Sequence, residues 1–160
     1  MGKTLVAYFS ATGTTERLAR ALAEVAGADL HGIEPAQPYT SADLNWHDAR
    51  SRSSVEMNDP ASRPAIASKV ADMERYDTVF VGFPIWWYVA PTIINTFLEA
   101  YDFSGKTVIP FATSGGSGMG KTDAVLRKCC ASDTRWKPGR CFYAGADAVT
   151  LRAWVEGLGL

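Results

Sequence analysis

Two short runs carry residue types suited to holding an anion. The first, SATGTT at residues 10–15, sets the hydroxyls of Ser10, Thr12, Thr14 and Thr15 around Ala11 and Gly13. A glycine lets the backbone turn tightly, and a helical pattern follows at once. Backbone N–H groups and the positive end of a helix dipole can then close on a phosphate. No lysine or arginine stands in the run before Arg17. Neutral donors of this kind suit an enclosed terminal phosphate better than a triphosphate with Mg²⁺. The second run, GGSGMGKT at residues 115–122, satisfies G-x-x-x-x-G-K-[ST] through Gly115, Gly120, Lys121 and Thr122, the phosphate loop of nucleotide triphosphatases.

Between them lies PIWWYVAP, residues 84–91, with Trp86, Trp87 and Tyr88 in succession. Successive loop side chains point different ways, so core packing does not absorb all three. One is expected to pack under the irregular segment 36–63. At least one other is expected to stack on a planar ligand, from a loop stiffened by Pro84 and Pro91. No residue stands out as a necessary acid, base or nucleophile. His31 and His47 have no partner pattern and read as structural or surface residues. Cys129, Cys130 and Cys141 lack metal-ligand spacing and read as reduced, buried thiols, so neither a metal site nor a disulfide framework is expected.

Five apolar, β-rich runs position these loops: residues 3–9, 29–34, 78–83, 107–112 and 140–144. Helical spacing separates them. Leu18, Leu22 and Val25 mark one helix, which Gly27 stops, and Ile66, Val70 and Met73 mark another. Ile94, Phe97, Leu98 and Tyr101 mark a third, opened by Pro91. Val125, Leu126 and Cys129 mark a fourth, and Leu151, Trp154, Val155 and Leu158 the last. Residues 36–63 are polar and irregular, with a short helix expected at 42–50. Alternating strands and helices predict an α/β fold with a parallel sheet covered on both faces, in one domain spanning 1–160. Ligands of such sheets bind beyond the carboxyl ends of the strands. That places the informative loops at 10–15, 84–90 and 113–120.

Composition narrows the function classes. With 47% hydrophobic and 21% charged residues among 160, the chain reads as a globular domain. A formal net charge of −1 gives no footprint for nucleic acid. The most apolar stretch, residues 79–94, is broken by Gly82, Pro84 and Pro91, so no membrane span is expected. The apolar run at 5–9 is too short for the core of a secretory signal, and cytoplasmic residence is the expectation.

Taken together, YFSATGTTERLA, YDTVFVGFPIWWYVAPTIINTFLE and YDFSGKTVIPFATSGGSGMG resemble the flavodoxin family, and in particular short bacterial flavodoxin-like proteins with a P-x-W-W loop. The resemblance covers most of the chain. It is weakest in residues 36–63 and after Thr122. It implies a three-layer α/β/α sandwich on a five-stranded parallel sheet of order 2-1-3-4-5, binding one FMN without a covalent bond. Ser10, Ala11, Thr12, Gly13, Thr14 and Thr15 would hold the phosphate. Pro84, Ile85, Trp86, Trp87 and Tyr88 would form the first ring loop, and Thr113, Ser114, Gly115, Gly116 and Gly118 the second. The implied role is electron transfer, one or two electrons at a time, between redox partner proteins. Two departures favour the alternative of an FMN-dependent NAD(P)H or quinone oxidoreductase. Many flavodoxins cover the ring with a tyrosine from the second loop, and TSGGSGMG has no aromatic. Electron-shuttling flavodoxins are also usually strongly acidic, which steers them to basic partners.

The triphosphatase pattern is a distant alternative. The strands at 78–83 and 107–112 end without the metal-binding aspartate such proteins need. The chain from Lys121 to Leu160 is also too short for the rest of such a sheet. Residues 36–63 are expected to pack beside the ring loops and shape partner access.

Overall fold

The elements run in the order β1 (Lys3–Tyr8), α1 (Thr14–Ala26), β2 (Asp29–Gly32), α2 (Arg52–Met57), β3 (Tyr76–Pro84), α3 (Thr92–Glu99), β4 (Thr107–Thr113), α4 (Thr122–Arg127), β5 (Arg135–Trp136), β6 (Arg140–Phe142) and α5 (Ala148–Gly157). They come from a computed structural model that describes residues 3–114, 118–143 and 146–160. All strand pairings within the sheet are parallel, and the order is β2-β1-β3-β4-β5, with β6 also on β4.

The three central strands are apolar through their middles because each feeds two cores. Leu5, Ala7, Val79, Val81, Phe83, Val108 and Ala112 point to one face, where Ile93, Ile94, Phe97 and Leu98 of α3 and Leu126 of α4 cover them. Val6, Tyr8, Phe80, Ile109 and Phe111 point to the other, under Leu18 and Leu22 of α1 and Leu151 of α5. Successive side chains of a strand alternate faces, so a strand buried on both sides has no polar positions to spare. Each Val, Leu, Ile or Phe among them contributes roughly 1.5–3 kcal/mol on burial. Gly82 is the exception. It pairs with Phe111, and a Cβ there would lie 2.1 Å from that ring's Cζ.

The fifth position of the sheet holds two short strands in tandem where a single strand at 140–144 was expected. β5 pairs with Thr107 and Val108, and β6 with Phe111, Ala112 and Thr113. The gap falls opposite Pro110. Proline has no N–H for the ladder and is tolerated where pairing is interrupted. Beside it the Gly139 N–H turns away to the Asp123 carboxylate, at 3.1 Å. The strand order expected from the sequence holds. Ala144, the end of the expected strand, lies outside the described residues.

The connection from β2 to β3 departs most from expectation. Ile66, Val70 and Met73 have helical spacing, but no α-helix spans them, and only a single 3-10 turn at Met73–Arg75 precedes β3. Instead the Ala36 N–H donates to the Ala65 carbonyl at 2.8 Å and the Ala67 N–H to the Glu34 carbonyl at 2.8 Å, an extended pass with an antiparallel bridge between Pro35 and Ile66. Ser68 Oγ donates to the Gly32 carbonyl at 3.0 Å, and the Val70 N–H donates to the Tyr101 hydroxyl at 2.9 Å. These tertiary partners satisfy the backbone that a helix would otherwise have satisfied internally. The expected helix at 42–50 is a series of turns, and the helix of this region is α2, capped by Ser51 accepting from the Ser54 N–H.

Candidate functional site

Three loops leave the carboxyl edge of β1, β3 and β4. The strand order reverses between β1 and β3, where an open α/β sheet forms its ligand crevice.

In the first loop the Gly13 N–H donates to Ser10 Oγ at 3.0 Å, and Gly13 takes φ 95° as the N-cap of α1. No side chain caps that helix. The first N–H groups of a helix have no partner within it, so an uncapped start is a ready anion cradle. Thr12 and Thr14 are exposed beside it. Thr15 is not. It is 2% exposed, and its hydroxyl lies 2.8 Å from that of Thr113, itself 6% exposed.

The second loop begins as the Ile85 N–H donates to the Thr113 carbonyl at 2.9 Å. It then closes a tight hairpin in which Trp86 and Val89 exchange both backbone hydrogen bonds, at 2.9 and 3.1 Å. The two central residues, Trp87 and Tyr88, have φ 51° and 66°. Two adjacent positive-φ residues define the primed hairpin turn that glycine and asparagine usually fill. Here the chain puts two large aromatics there, each at a cost of about 1–2 kcal/mol. Strain of this kind persists where function uses it. Trp87 is 42% exposed and Tyr88 66%. Trp86 instead packs edge-on against Phe9 and Tyr39, with ring centroids 5.7 and 5.6 Å away. Of the three aromatics, one is thus absorbed under segment 36–63 and two stand at the surface.

Tyr39 draws that segment against the second loop. The Arg52 guanidinium sits 3.8 Å over the Tyr39 ring and pairs with Glu56 at 3.0 Å, while the Tyr39 hydroxyl donates to Glu56. Burial, then the bond to Glu56, push the Tyr39 phenol well above its usual range. Arg63 holds Glu99 of α3 in a two-pronged pair at 2.7 and 3.1 Å. Arg52 and Glu56 are an i,i+4 pair on α2, but Tyr39 joins them from outside any helix, and no spacing along the chain brings it there.

The third loop starts at Thr113 and Ser114. Gly115 and Gly116, both assigned to the ring loop from sequence, lie outside the described residues. Gly118 is half-buried. Gly120 has φ 57°, and a Cβ there would stand 2.4 Å from the Tyr88 carbonyl oxygen. The second and third loops therefore pack backbone to backbone. A residue the sequence reading passed over joins them. Tyr143 follows β6, and its hydroxyl lies 3.5 Å from where a Cβ on Gly118 would stand. It is 57% exposed, an aromatic set beside the loop that has none of its own. The available signal was its place just past the last strand, next to β4 in the sheet. Burial pushes the neighbouring Cys141 thiol up, against hydrogen bonds from Ser114 and Tyr143. This leaves the thiol neutral at physiological pH.

The triphosphatase pattern does not survive the geometry. Thr122 is fully buried, and its hydroxyl donates to the Met119 carbonyl, so it is not free for a metal ion. Lys121 is exposed at the start of the six-residue α4. His31 is likewise structural. Burial lowers its pKa, which keeps it neutral, and its ring faces Phe97 at 6.5 Å. Among the described residues no group of His, Cys, Asp and Glu could hold a metal ion.

A three-layer, open-sheet α/β protein with three loops gathered at its switch point is the class that this fold defines. Residues 3–158 match the sequence model of the Flavodoxin family, and the chain belongs to that family. Two crystal structures of proteins assigned as flavoproteins are similar over almost their whole length. That from Bacteroides eggerthii DSM 20697 is 56% identical with a TM-score of 0.94, covering 100% of this chain and 99% of its own. That from Bacteroides uniformis ATCC 8492 is 52% identical with a TM-score of 0.91, covering 97% and 98%. A flavoprotein of Lactobacillus acidophilus NCFM, solved in complex with FMN, shares the fold with a TM-score of 0.72 over 100% of both chains, at 20% identity. Among curated proteins none matches the chain.

Proposed function

We propose that this chain is a single-domain, FMN-binding electron-transfer protein. Backbone N–H groups at the start of α1 and the Ser10, Thr12 and Thr14 hydroxyls would hold the phosphate. Trp87 and Tyr88 of the second loop, Thr113, Ser114 and Gly118 of the third, and the neighbouring Tyr143 would hold the ring. The observation that carries this reading is the convergence on Thr113. Its hydroxyl meets the first loop at Thr15 and its carbonyl meets the second at Ile85, while the third loop begins at the next residue. An uncapped helix start and an exposed aromatic pair are thereby tied to one residue at the carboxyl edge of the sheet. Family membership supports FMN as the group that fits. When bound, FMN supplies the one- or two-electron chemistry. The chain supplies binding, orientation and access.

Redox partner proteins and cytoplasmic residence go with this reading. Among the described residues no helix is long and apolar enough to cross a membrane. Titration of the apoprotein with FMN, followed by quenching of flavin fluorescence, is expected to saturate at one flavin per chain. Absence of uptake rejects the reading.

One observation favours the reductase alternative. Trp87 and Tyr88 stand open to solvent, a platform on which a second planar molecule could stack. Steady-state assays with NAD(P)H and quinones separate the two. Rapid turnover by the purified protein alone replaces the electron carrier with an oxidoreductase.

The strained hairpin makes its own prediction. Tyr88→Gly relieves a positive φ at an exposed residue, partly offset by the greater freedom of glycine in the unfolded chain. Stability is expected to rise by about 0.5–1 kcal/mol, or roughly 1–4 °C in Tm. FMN affinity is expected to fall about tenfold as stacking is lost. A stabilised variant with unchanged FMN affinity would remove Tyr88 from the site.

A further inference from the structure

We propose that Thr113 is a positioning residue that couples the anion end of the crevice to its ring end through a hydroxyl clasp on Thr15. The inference rests on the FMN reading above and adds to it. Thr15 and Thr113 were both expected to face the ligand, but their hydroxyls face each other, 98 residues apart in sequence and 2.8 Å apart in space. Both are more than nine-tenths buried. Thr15 belongs to the first turn of α1, where the anion sits. Thr113 ends β4, gives its carbonyl to the Ile85 N–H at 2.9 Å, and leads into Ser114, whose own N–H is held by the Phe142 carbonyl at 3.2 Å. One buried hydrogen bond thus joins the first turn of the anion helix to the residue from which both ring loops are set.

An anion that orders the first turn of α1 fixes Thr15. The clasp passes that order to Thr113, and so to the backbone at Ile85 and Ser114. The effect is reciprocal, as any coupling between binding sites must be. A flavin ring seated against Ile85 and Ser114 orders the anion cradle in turn. The clasp carries no charge and joins the two hydroxyls directly, so its contribution lies in the coupling between the two ends.

Inorganic phosphate and riboflavin, which carries the ring without the phosphate, probe the two ends separately. In the wild type, saturating phosphate is expected to tighten riboflavin binding by about fivefold or more, the size of one net hydrogen bond. In Thr113→Val, which keeps the shape and the backbone contacts but removes the hydroxyl, that factor is expected to fall to about one. Thr113→Ser restores it. Thr15→Val breaks the clasp from the other side and should abolish the coupling equally. It also serves if Thr113→Val does not fold.

A phosphate effect unchanged in both valine variants overturns the clasp, and so does a wild type that binds riboflavin with no phosphate effect. A wild type that takes up neither FMN nor riboflavin overturns the flavin reading itself. A uniform loss of riboflavin affinity in the valine variants, with the phosphate factor intact, marks Thr113 as structural only and also overturns the proposal.

Discussion

Gly82→Ala is expected to destabilise the protein by about 3 kcal/mol, at the upper end of what overpacking costs. The added Cβ would lie 2.1, 2.4 and 2.8 Å from three atoms of the Phe111 ring, well inside contact distance. That ring has nowhere to go, because Phe111 is fully buried, on the strand next to Gly82. For a chain of this size the loss corresponds to roughly 6–12 °C in Tm, read by thermal or chemical denaturation. The cause is testable by a double-mutant cycle. Phe111→Leu alone removes buried ring atoms and costs stability, but in the Gly82→Ala background it relieves the clash. The two changes together are expected to be less damaging than their separate losses added. Strict additivity would mean that the alanine acts through the backbone and not through Phe111.

Gly120→Ala is expected to weaken FMN binding about thirtyfold, or about 2 kcal/mol. Two effects combine at this position. Its φ of 57° costs an alanine about 1 kcal/mol or more, and the new Cβ would stand 2.4 Å from the Tyr88 carbonyl oxygen. A flexible side chain could swing aside, but a backbone carbonyl moves only with its hairpin. The substitution therefore pushes Trp87 and Tyr88 off the position that the Trp86–Val89 hydrogen bonds give them. FMN titration of the variant reads the affinity, and denaturation separates it from global stability. A loss of stability with no change in FMN affinity would mean that the hairpin shift does not reach the ligand.

The places where sequence reasoning failed share one physical cause. Ile66, Val70 and Met73 keep helical spacing, and all three pack against the core. Three residues at i, i+4 and i+7 record which side chains are buried, not how the backbone between them is satisfied. Here Glu34, Ala36 and Tyr101 satisfy it, and those partners come from distant parts of the chain. The split fifth position follows the same logic. Pro110 was visible, but only pairing with a neighbour turns a missing N–H into a gap between β5 and β6. In the cluster of Tyr39, Arg52 and Glu56 the last two pair at i,i+4 on α2, but Tyr39 reaches them across a turn region, and that contact no spacing along the chain records.

By itself the sequence determined the parallel sheet, its strand order through the family resemblance, and the three loops at its carboxyl edge. Those features are local: continuous apolar runs for doubly covered strands, a hydroxyl-rich turn before a helix, aromatics crowded between prolines. Only the tertiary structure decided what each loop residue faces. Trp86 turns inward to Phe9 and Tyr39 while Trp87 and Tyr88 turn out on a strained hairpin. The hydroxyls of Thr15 and Thr113 meet each other, and Tyr143 arrives beside Gly118 from the far edge of the sheet. Such orientations depend on contacts between residues tens of positions apart, which no spacing along the chain records.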